Sequence, residues 1–154
     1  MIPHFFPRDE YFMRMALREA TRALEHDDVP IGAVIVREGE VIGSGRNERE
    51  IRGDPTAHAE MLALREAARS LRSWRVLDAV MYITLEPCAM CAGAIVLARV
   101  PRVIFGASDS KAGAAGSVLD VLGEPQLNHR PQVERGLLAG ECGELLQRFF
   151  VSRR

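Results

Sequence analysis

The sequence predicts an α/β fold in three layers, α-β-α, with a central mixed sheet of about five strands covered by helices. Segments typical of strands alternate with segments typical of helices along the chain, which favours a sheet packed between helices. The 154 residues, 47% of them hydrophobic and 27% charged, suit one soluble globular domain with a sizeable core. We therefore expect residues 1–154 to form a single domain.

The first half of the chain predicts two helices with a hairpin between them. Residues 9–26 have apolar positions at helical spacing, and Asp9 can cap that helix. Residues 29–47 predict a hairpin, because two apolar runs flank the turn signal Glu38-Gly39. The next helix is expected to open at Asp54-Pro55, with Asp as the N-cap and Pro at the first helical position.

The second half predicts three strands and two helices. Residues 80–85 predict a strand, because they are mostly apolar and β-branched or aromatic, and residues 88–98 predict the helix that follows. Residues 103–106 predict another strand and residues 107–130 an irregular segment, and a short edge strand is expected after Pro131. The last helix has an apolar face made of Leu138, Cys142, Leu145, Leu146 and Phe149.

Two short motifs carry the chemistry, and both lie at the starts of predicted helices. They are His58-Ala59-Glu60 and Pro87-Cys88-Ala89-Met90-Cys91. One imidazole and two thiolates can fill three corners of a zinc tetrahedron and leave the fourth for water. Cys88 and Cys91 are three residues apart, so they share one face of a helical turn. This H-x-E…P-C-x-x-C spacing is typical of zinc-dependent nucleobase deaminases.

The helix-start position of each motif suits this chemistry. A helix N-terminus favours thiolate over thiol, because it carries about half a positive charge. Zinc with three protein ligands can lower the pKa of a bound water to roughly 7. Glu60 would take the proton from that water and deliver it to the ring nitrogen and the leaving amine. We expect His58, Cys88 and Cys91 to ligate Zn²⁺ and Glu60 to be the catalytic proton shuttle.

Other sites use parts of the same motifs. A lone C-x-x-C also occurs in structural zinc sites and in redox sites, but a structural site would close with a fourth Cys or His. Cys142 lies on the apolar face of the last helix, where we expect a buried small hydrophobe. Two other functions stay open: a deaminase of free guanine or cytosine, and a zinc-stabilised RNA-binding module without catalysis.

Charge and cysteine usage restrict the partners and the compartment. The net charge of −1 does not by itself indicate a polyanionic partner. No apolar run approaches the roughly 20 residues needed to cross a bilayer, and residues 1–7 lack the features of a secretory signal. Three cysteines, two of them in C-x-x-C, favour a metal site and a reducing compartment over a disulfide framework. We expect a cytoplasmic protein with no membrane partner.

Three stretches resemble bacterial tRNA-specific adenosine deaminases, and the resemblance runs from about Glu10 to Arg154. They are Asp54-Pro55-Thr56-Ala57-His58-Ala59-Glu60, Thr84-Leu85-Glu86-Pro87-Cys88-Ala89-Met90-Cys91-Ala92-Gly93-Ala94 and Lys111-Ala112-Gly113-Ala114-Ala115-Gly116-Ser117. The resemblance implies a homodimer with a cytidine deaminase-like fold and one zinc ion per subunit. It also implies hydrolytic deamination of the wobble adenosine in a tRNA anticodon stem-loop, which gives inosine.

The same resemblance implies a set of substrate-binding residues. Asn47 matches a position that contacts the target nucleoside, although it can also serve only to shape the end of the hairpin. The pocket wall corresponds to Val29, Pro30 and Ile31, and a loop near the substrate strand to Asp109 and Lys111. The C-terminal helix that meets flanking nucleotides corresponds to Phe149 and Arg153. On periodicity alone Phe149 is a core residue, and Asp109 can be a turn residue.

Overall fold

A computed structural model describes residues 5–153 of the chain. Its helices and strands run in the order α1 Pro7–Arg22, β1 Gly32–Arg37, β2 Glu40–Arg46, α2 Arg49–Arg52, α3 Ala59–Leu71, β3 Ala79–Leu85, α4 Ala89–Ala98, β4 Arg102–Ala107, β5 Gln132–Arg135 and α5 Ala139–Val151. A 3-10 turn, Ala23–His26, continues α1. In the described part of the chain, no helix has the length and apolar character required to cross a membrane.

The five strands form one mixed sheet in the order β2-β1-β3-β4-β5. β1 runs antiparallel to both of its neighbours, whereas β3, β4 and β5 are parallel to one another. Because β1 opposes both β2 and β3, the strands β2 to β5 all point the same way. Their carboxyl ends therefore lie along one edge of the sheet, and the segments that follow them meet there.

Helices cover both faces of the sheet, as the sequence predicts. Strand side chains alternate between two faces, and each face buries its own apolar cluster. Met81 and Ile83 of β3 pack with α3 and α4, while Tyr82 between them packs with α1 and α5. The predicted three-layer architecture with five strands is confirmed.

Two predicted helix starts need correction. α3 begins at Ala59 and not at Asp54, because the Asp54 carboxylate accepts hydrogen bonds from the N–H and hydroxyl of Thr56 and so closes a separate turn. α1 begins at Pro7, two residues before the expected cap. Asp9 lies inside its first turn and accepts the N–H of Phe6, so its carboxylate still acts as a cap at this helix end.

The other elements lie close to their predicted places. Glu38 and Gly39 both have positive φ, as a tight hairpin turn between β1 and β2 requires. The stretch 108–131 contains no named helix or strand, and β5 forms the short edge strand after Pro131. Cys142 is buried in the cluster under α1 and α5, as expected of a small hydrophobic residue.

Candidate active site

Three side chains from two helix starts converge at one edge of the sheet. His58 is the N-cap residue of α3 and Cys88 is the N-cap residue of α4. His58 Nδ1 lies 3.7 Å from the sulfur of Cys88 and 3.6 Å from that of Cys91. The three ligand atoms all lie within 4.8 Å of one another, so a single metal ion can contact all of them. The sequence prediction that these residues form a metal site is therefore supported by geometry.

Backbone packing brings the two helix starts together. α4 follows β3 directly, and α3 packs across β2 and β1. The approach of α3 to β2 requires Gly45, because a Cβ at that position would lie 2.3 Å from the carbonyl oxygen of Ala59. The first residue of α3 thus lies directly on the strand, which fixes His58 and Glu60 relative to the sheet.

The two cysteines differ in protonation. A hydrogen bond from the Cys91 thiol lowers the pKa of Cys88 to about 3, and contact with His58 adds to this effect. The hydrogen bond to Cys88 raises the pKa of Cys91, and burial raises it further. The hydrogen bond with Cys88 also raises the pKa of His58. These shifts favour a thiolate at Cys88 and a thiol at Cys91, and a bound cation would replace the thiol proton.

Glu60 lies beside His58, Cys88 and Cys91 but is not one of the possible metal ligands. Its side chain is only 4% exposed, and it is the second residue of α3. Burial raises the pKa of Glu60 to about 7, and the negative charge of Cys88 acts in the same direction. A carboxyl group that titrates near neutral pH can both accept and donate a proton under ordinary conditions.

In the part of the chain that the structure describes, this group has no fourth protein ligand. Within residues 5–153, the metal-ligating cluster contains His58, Cys88 and Cys91 and no further His, Cys, Asp or Glu. Cys142 packs on the opposite face of the sheet, in the cluster under α1 and α5. Three ligands leave one position for a reacting molecule, which distinguishes this site from a closed structural metal site.

A pocket of about 550 Å³ opens above the group, and His58 forms part of its lining. This volume lies within the range of small-molecule sites. The pocket is bounded by the segments that follow β2 and β4, by the last residue of β3, by the segment before β1 and by α5. Its lining consists of Val29, Ile31, Asn47, Arg49, His58, Leu85, Ala107, Ser108, Asp109, Ser110, Lys111, Gly143, Leu146, Gln147 and Phe150.

Asn47 is the best placed of the predicted substrate residues. It lines the pocket and is 2% exposed. Its Oδ1 accepts the N–H of Ala59 at 2.9 Å, so the side chain also satisfies the first free donor of α3. Among the described residues no group accepts a hydrogen bond from its Nδ2. This assignment of the amide leaves an N–H donor available at the pocket.

The other predicted residues divide between the pocket and its surroundings. The pocket lining includes Val29, Ile31, Asp109 and Lys111. Pro30, between Val29 and Ile31 in the chain, is buried and does not line the pocket. The Asp109 carboxylate accepts the backbone N–H groups of Lys111 and Ala112, as a turn residue does.

Phe149 and Arg153 lie outside the pocket lining. Phe149 is buried on the core side of α5, and the Arg153 guanidinium lies 4.4 Å from the centre of its ring. Arg153 also pairs with Asp27, and all three residues line a neighbouring groove. Their contact with flanking nucleotides stays a prediction.

Sequence reasoning missed two pocket residues of note. Phe150, not Phe149, faces the pocket from α5 and is 52% exposed. Arg49 lies at the pocket because the fully buried Asp28 carboxylate accepts hydrogen bonds from its Nε and Nη2, each at 3.3 Å. The available signal for Arg49 was its place two residues after Asn47, on the segment that leaves β2.

A family described as MafB19-like deaminase matches residues 8–154. A protein of Aquifex aeolicus named tRNA-specific adenosine deaminase is 51% identical, covering 94% of this chain and 95% of that protein. One of the same name from Streptococcus pyogenes serotype M18 is 49% identical, covering 99% of this chain and 96% of that protein.

The chain belongs to the tRNA-specific adenosine deaminase family. A solved structure from work on A-to-I editing by tRNA:A34 deaminases at the wobble position is 45% identical to it, with a TM-score of 0.85. The match covers 88% of this deaminase and 99% of the solved chain. The expected cytidine deaminase-like fold is confirmed.

Proposed function

We propose that this deaminase converts the wobble adenosine of a tRNA anticodon to inosine by hydrolysis. The His58–Cys88–Cys91 group with Glu60 beside it supports hydrolytic deamination of a base. That group does not determine which base is deaminated, because deaminases of free bases have the same motif. The assignment of tRNA adenosine as the substrate rests on the match of nearly the whole chain to tRNA-specific adenosine deaminases at 49–51% identity.

We further propose one Zn²⁺ ion per subunit, held by His58, Cys88 and Cys91. A tetrahedral zinc ion with its usual bond lengths would place a ligating sulfur and nitrogen about 3.6 Å apart. The two sulfur–nitrogen distances in the structure, 3.7 and 3.6 Å, fit this value. When bound, zinc supplies Lewis acidity that brings the pKa of a water to roughly 7.

The protein's own contribution to the reaction is proton transfer by Glu60. Attack of water at C6 of adenine moves one water proton to N1, and the remaining hydroxyl proton then moves to the departing amine, which leaves as ammonia. Glu60 is buried, has a pKa of about 7 and sits in the first turn of α3, so it can carry these protons in turn. Ammonia and inosine are the products.

The walls of the pocket would hold the nucleoside. Val29 and Ile31 offer apolar surface to the faces of a flat base. The Nδ2 group of Asn47 is a donor with no described protein partner, and it can hydrogen-bond to a nucleoside acceptor. Pro30 would act by fixing the backbone between the two wall residues, since its side chain is buried.

The rim of the pocket suits an RNA strand. Arg49 and Lys111 are its cationic lining residues and can meet phosphates on either side of the target nucleotide. Phe150 offers an exposed ring on which a neighbouring base can stack. Asp109 shapes the loop that carries Lys111. An anticodon loop is single-stranded, so its bases reach such a pocket without the cost of opening a duplex.

We also propose that the chain, residues 1–154, is a single domain that works as a homodimer in the cytoplasm. The sequence of α4, AMCAGAIVLA, contains no charged side chain, and Leu97 on its outer side is 70% exposed. A helix that is apolar on all sides is normally covered, and a second copy of the chain would cover it.

Light scattering tests the homodimer. Leu97→Lys should shift the dimer toward monomer, while Val41→Lys on the edge strand β2 should leave the dimer intact. Monomeric wild-type protein would refute the dimer.

The proposed activity is tested with a panel of substrates. Purified protein is incubated with an anticodon stem-loop that carries adenosine at the wobble position, with the same stem-loop carrying adenosine only elsewhere in the loop, and with free adenine, guanine and cytosine. We expect inosine in the first RNA alone. Turnover of free bases with none on RNA would select a free-base deaminase, and RNA binding without turnover would select a non-catalytic module.

A further inference from the structure

Glu86 is a buried carboxyl group that the proposed chemistry does not use. It lies at the end of β3, two residues before Cys88, and is 2% exposed. Four donors point at its two oxygens. Oε1 accepts the N–H of Asp109 at 3.0 Å and the hydroxyl of Ser117. Oε2 accepts the N–H groups of Ala115 and Ser117 at 2.9 and 3.1 Å.

All four donors belong to one segment, residues 109–117, which follows β4 and has no regular secondary structure. The first part of this segment, with Asp109 and Lys111, lines the pocket. A segment without a helix or strand must satisfy its backbone groups elsewhere, and here one side chain satisfies three of its N–H groups. The conformation of this part of the pocket therefore depends on Glu86.

Two further contacts tie the same segment to the metal-ligand side of the site. The N–H of Ala114 donates to the carbonyl oxygen of Pro87 at 2.8 Å, immediately before Cys88. Gly113 lies against the Glu86 carboxylate, so closely that an added Cβ would be 2.3 Å from Glu86 Cδ. Residues 109–117 therefore pack against the end of β3, directly before the predicted metal ligands Cys88 and Cys91.

We propose that Glu86 is a positioning residue that holds the 109–117 segment in register with the metal-ligand segment and thereby sets the affinity for the RNA substrate. The proposal rests on the proposed function, because the segment is taken to meet the RNA strand. Glu86 acts through Asp109 and Lys111 and does not itself touch the substrate. Removing it should weaken binding of the ground state and the transition state alike, which raises KM and spares kcat.

Glu86→Gln tests this proposal with little change in shape. A glutamine places an NH₂ group where a carboxylate oxygen faced N–H donors, so at least one buried backbone donor loses its acceptor. We expect KM for the anticodon stem-loop to rise about tenfold, the ratio that corresponds to one unsatisfied buried group. We expect kcat to stay within about threefold and bound metal to stay at the wild-type ratio. Glu25→Gln, on an exposed part of the 3-10 turn, is the matched control and should change neither constant.

Gly113→Ala tests the same contact from the other side and covers the case in which Glu86→Gln fails to fold. The new methyl group must push the segment away from Glu86, so KM should rise as in the first variant. Gly140→Ala is its control, because an added Cβ at Gly140 meets nothing within 4 Å.

Hydrogen exchange supplies a measurement that does not depend on activity. In Glu86→Gln and Gly113→Ala, the amides of Asp109, Ala115 and Ser117 should exchange at least about tenfold faster, while those of α3 keep their protection. A general loss of stability with unchanged KM and uniform exchange would overturn the proposal, as would loss of kcat together with metal. If wild-type protein forms no inosine but the segment's amides still respond selectively, the proposed function fails while the positioning by Glu86 stands.

Discussion

Replacement of Asn47 separates two roles that the structure gives to one side chain. Its Oδ1 accepts the N–H of Ala59 at the start of α3, and its Nδ2 is available to the pocket. Asn47→Ala removes both groups, whereas Asn47→Asp keeps an acceptor for Ala59 and removes the donor. A carboxylate at a helix N-terminus is also electrostatically favourable. The two variants should therefore differ in stability but share a defect in activity.

The expected magnitudes follow from the two hydrogen bonds. In Asn47→Ala the buried N–H of Ala59 loses its partner, which should cost about 1–2 kcal/mol of unfolding free energy. For a chain of this length that corresponds to a fall in Tm of about 2–8 °C. The lost donor to the nucleoside should cost about 1–3 kcal/mol of transition-state stabilisation, or roughly 5- to 150-fold in kcat/KM.

The assay combines thermal unfolding of the metal-loaded protein with inosine formation on the stem-loop. We expect Asn47→Ala to lose both stability and kcat/KM, and Asn47→Asp to keep its Tm within about 2 °C of wild type while kcat/KM falls as far as in the alanine variant. Wild-type kcat/KM in Asn47→Asp would refute the reasoning, because it would show that Asn47 only fixes the end of the hairpin.

Three further predictions concern metal, stability and RNA. Cys88→Ala should lose bound metal and unfold at lower temperature, because metal binding energy is also folding energy, and stoichiometric metal in the variant would contradict the ligand assignment. Asp9→Asn should cost about 3 kcal/mol in urea unfolding at pH 7, since Asp9 is fully buried and pairs with Arg102, which keeps Glu134 as a second partner. Burial raises the pKa of Asp9, but hydrogen bonds from Arg102, the Phe6 N–H and Tyr82 outweigh it and leave the pKa below its usual range. This stabilisation should be complete above about pH 4 and be lost as the pH falls through the lowered pKa of the folded state, so a difference from wild type that persists at lower pH would count against it. Arg49→Gln should raise KM for the stem-loop and flatten the slope of log affinity against log salt by about 0.7, the value for one phosphate contact, whereas Arg18→Gln on the exposed side of α1 should leave the slope unchanged.

The metal group could be predicted from sequence because its chemistry depends on local spacing. Cys91 lies three positions after Cys88, so helix geometry alone places both on one turn. Proline and the following cysteine at a strand end then predict the start of α4. The distance between His58 and the cysteines could not be read from spacing, since it depends on how α3 packs against β2 through Gly45.

Contacts that depend on tertiary packing could not be predicted from the sequence. Asp54-Pro55 has the residue types of a helix start, but the Asp54 carboxylate accepts a hydrogen bond from Thr56, and the helix begins only at Ala59. From sequence alone Arg49 looks like a charged surface residue. Its hydrogen bond to the buried Asp28 carboxylate, which holds it at the pocket, depends on the tertiary structure. On α5, periodicity correctly places Phe149 in the core, but which neighbour faces the pocket depends on the angle at which the helix crosses the sheet.

Glu86 shows the same limit in another form. Its place in the sequence, directly before Pro87 and Cys88, suggests a role tied to the metal ligands. Its hydrogen bonds instead go to residues more than twenty positions later, in a segment whose composition predicts only an irregular loop. No local pattern connects a carboxylate to backbone donors at that separation.

We propose above all that Glu60 moves protons during conversion of a wobble adenosine to inosine. The most direct test maps inosine at nucleotide resolution in total tRNA, taken from cells that lack the modification and incubated with wild-type protein or with Glu60→Gln. Wild-type protein should introduce inosine at the wobble position alone, and Glu60→Gln should lose about 10²- to 10⁴-fold in rate while it retains stoichiometric metal. Absence of inosine with excess wild-type enzyme, or undiminished inosine formation by Glu60→Gln, would contradict the claim.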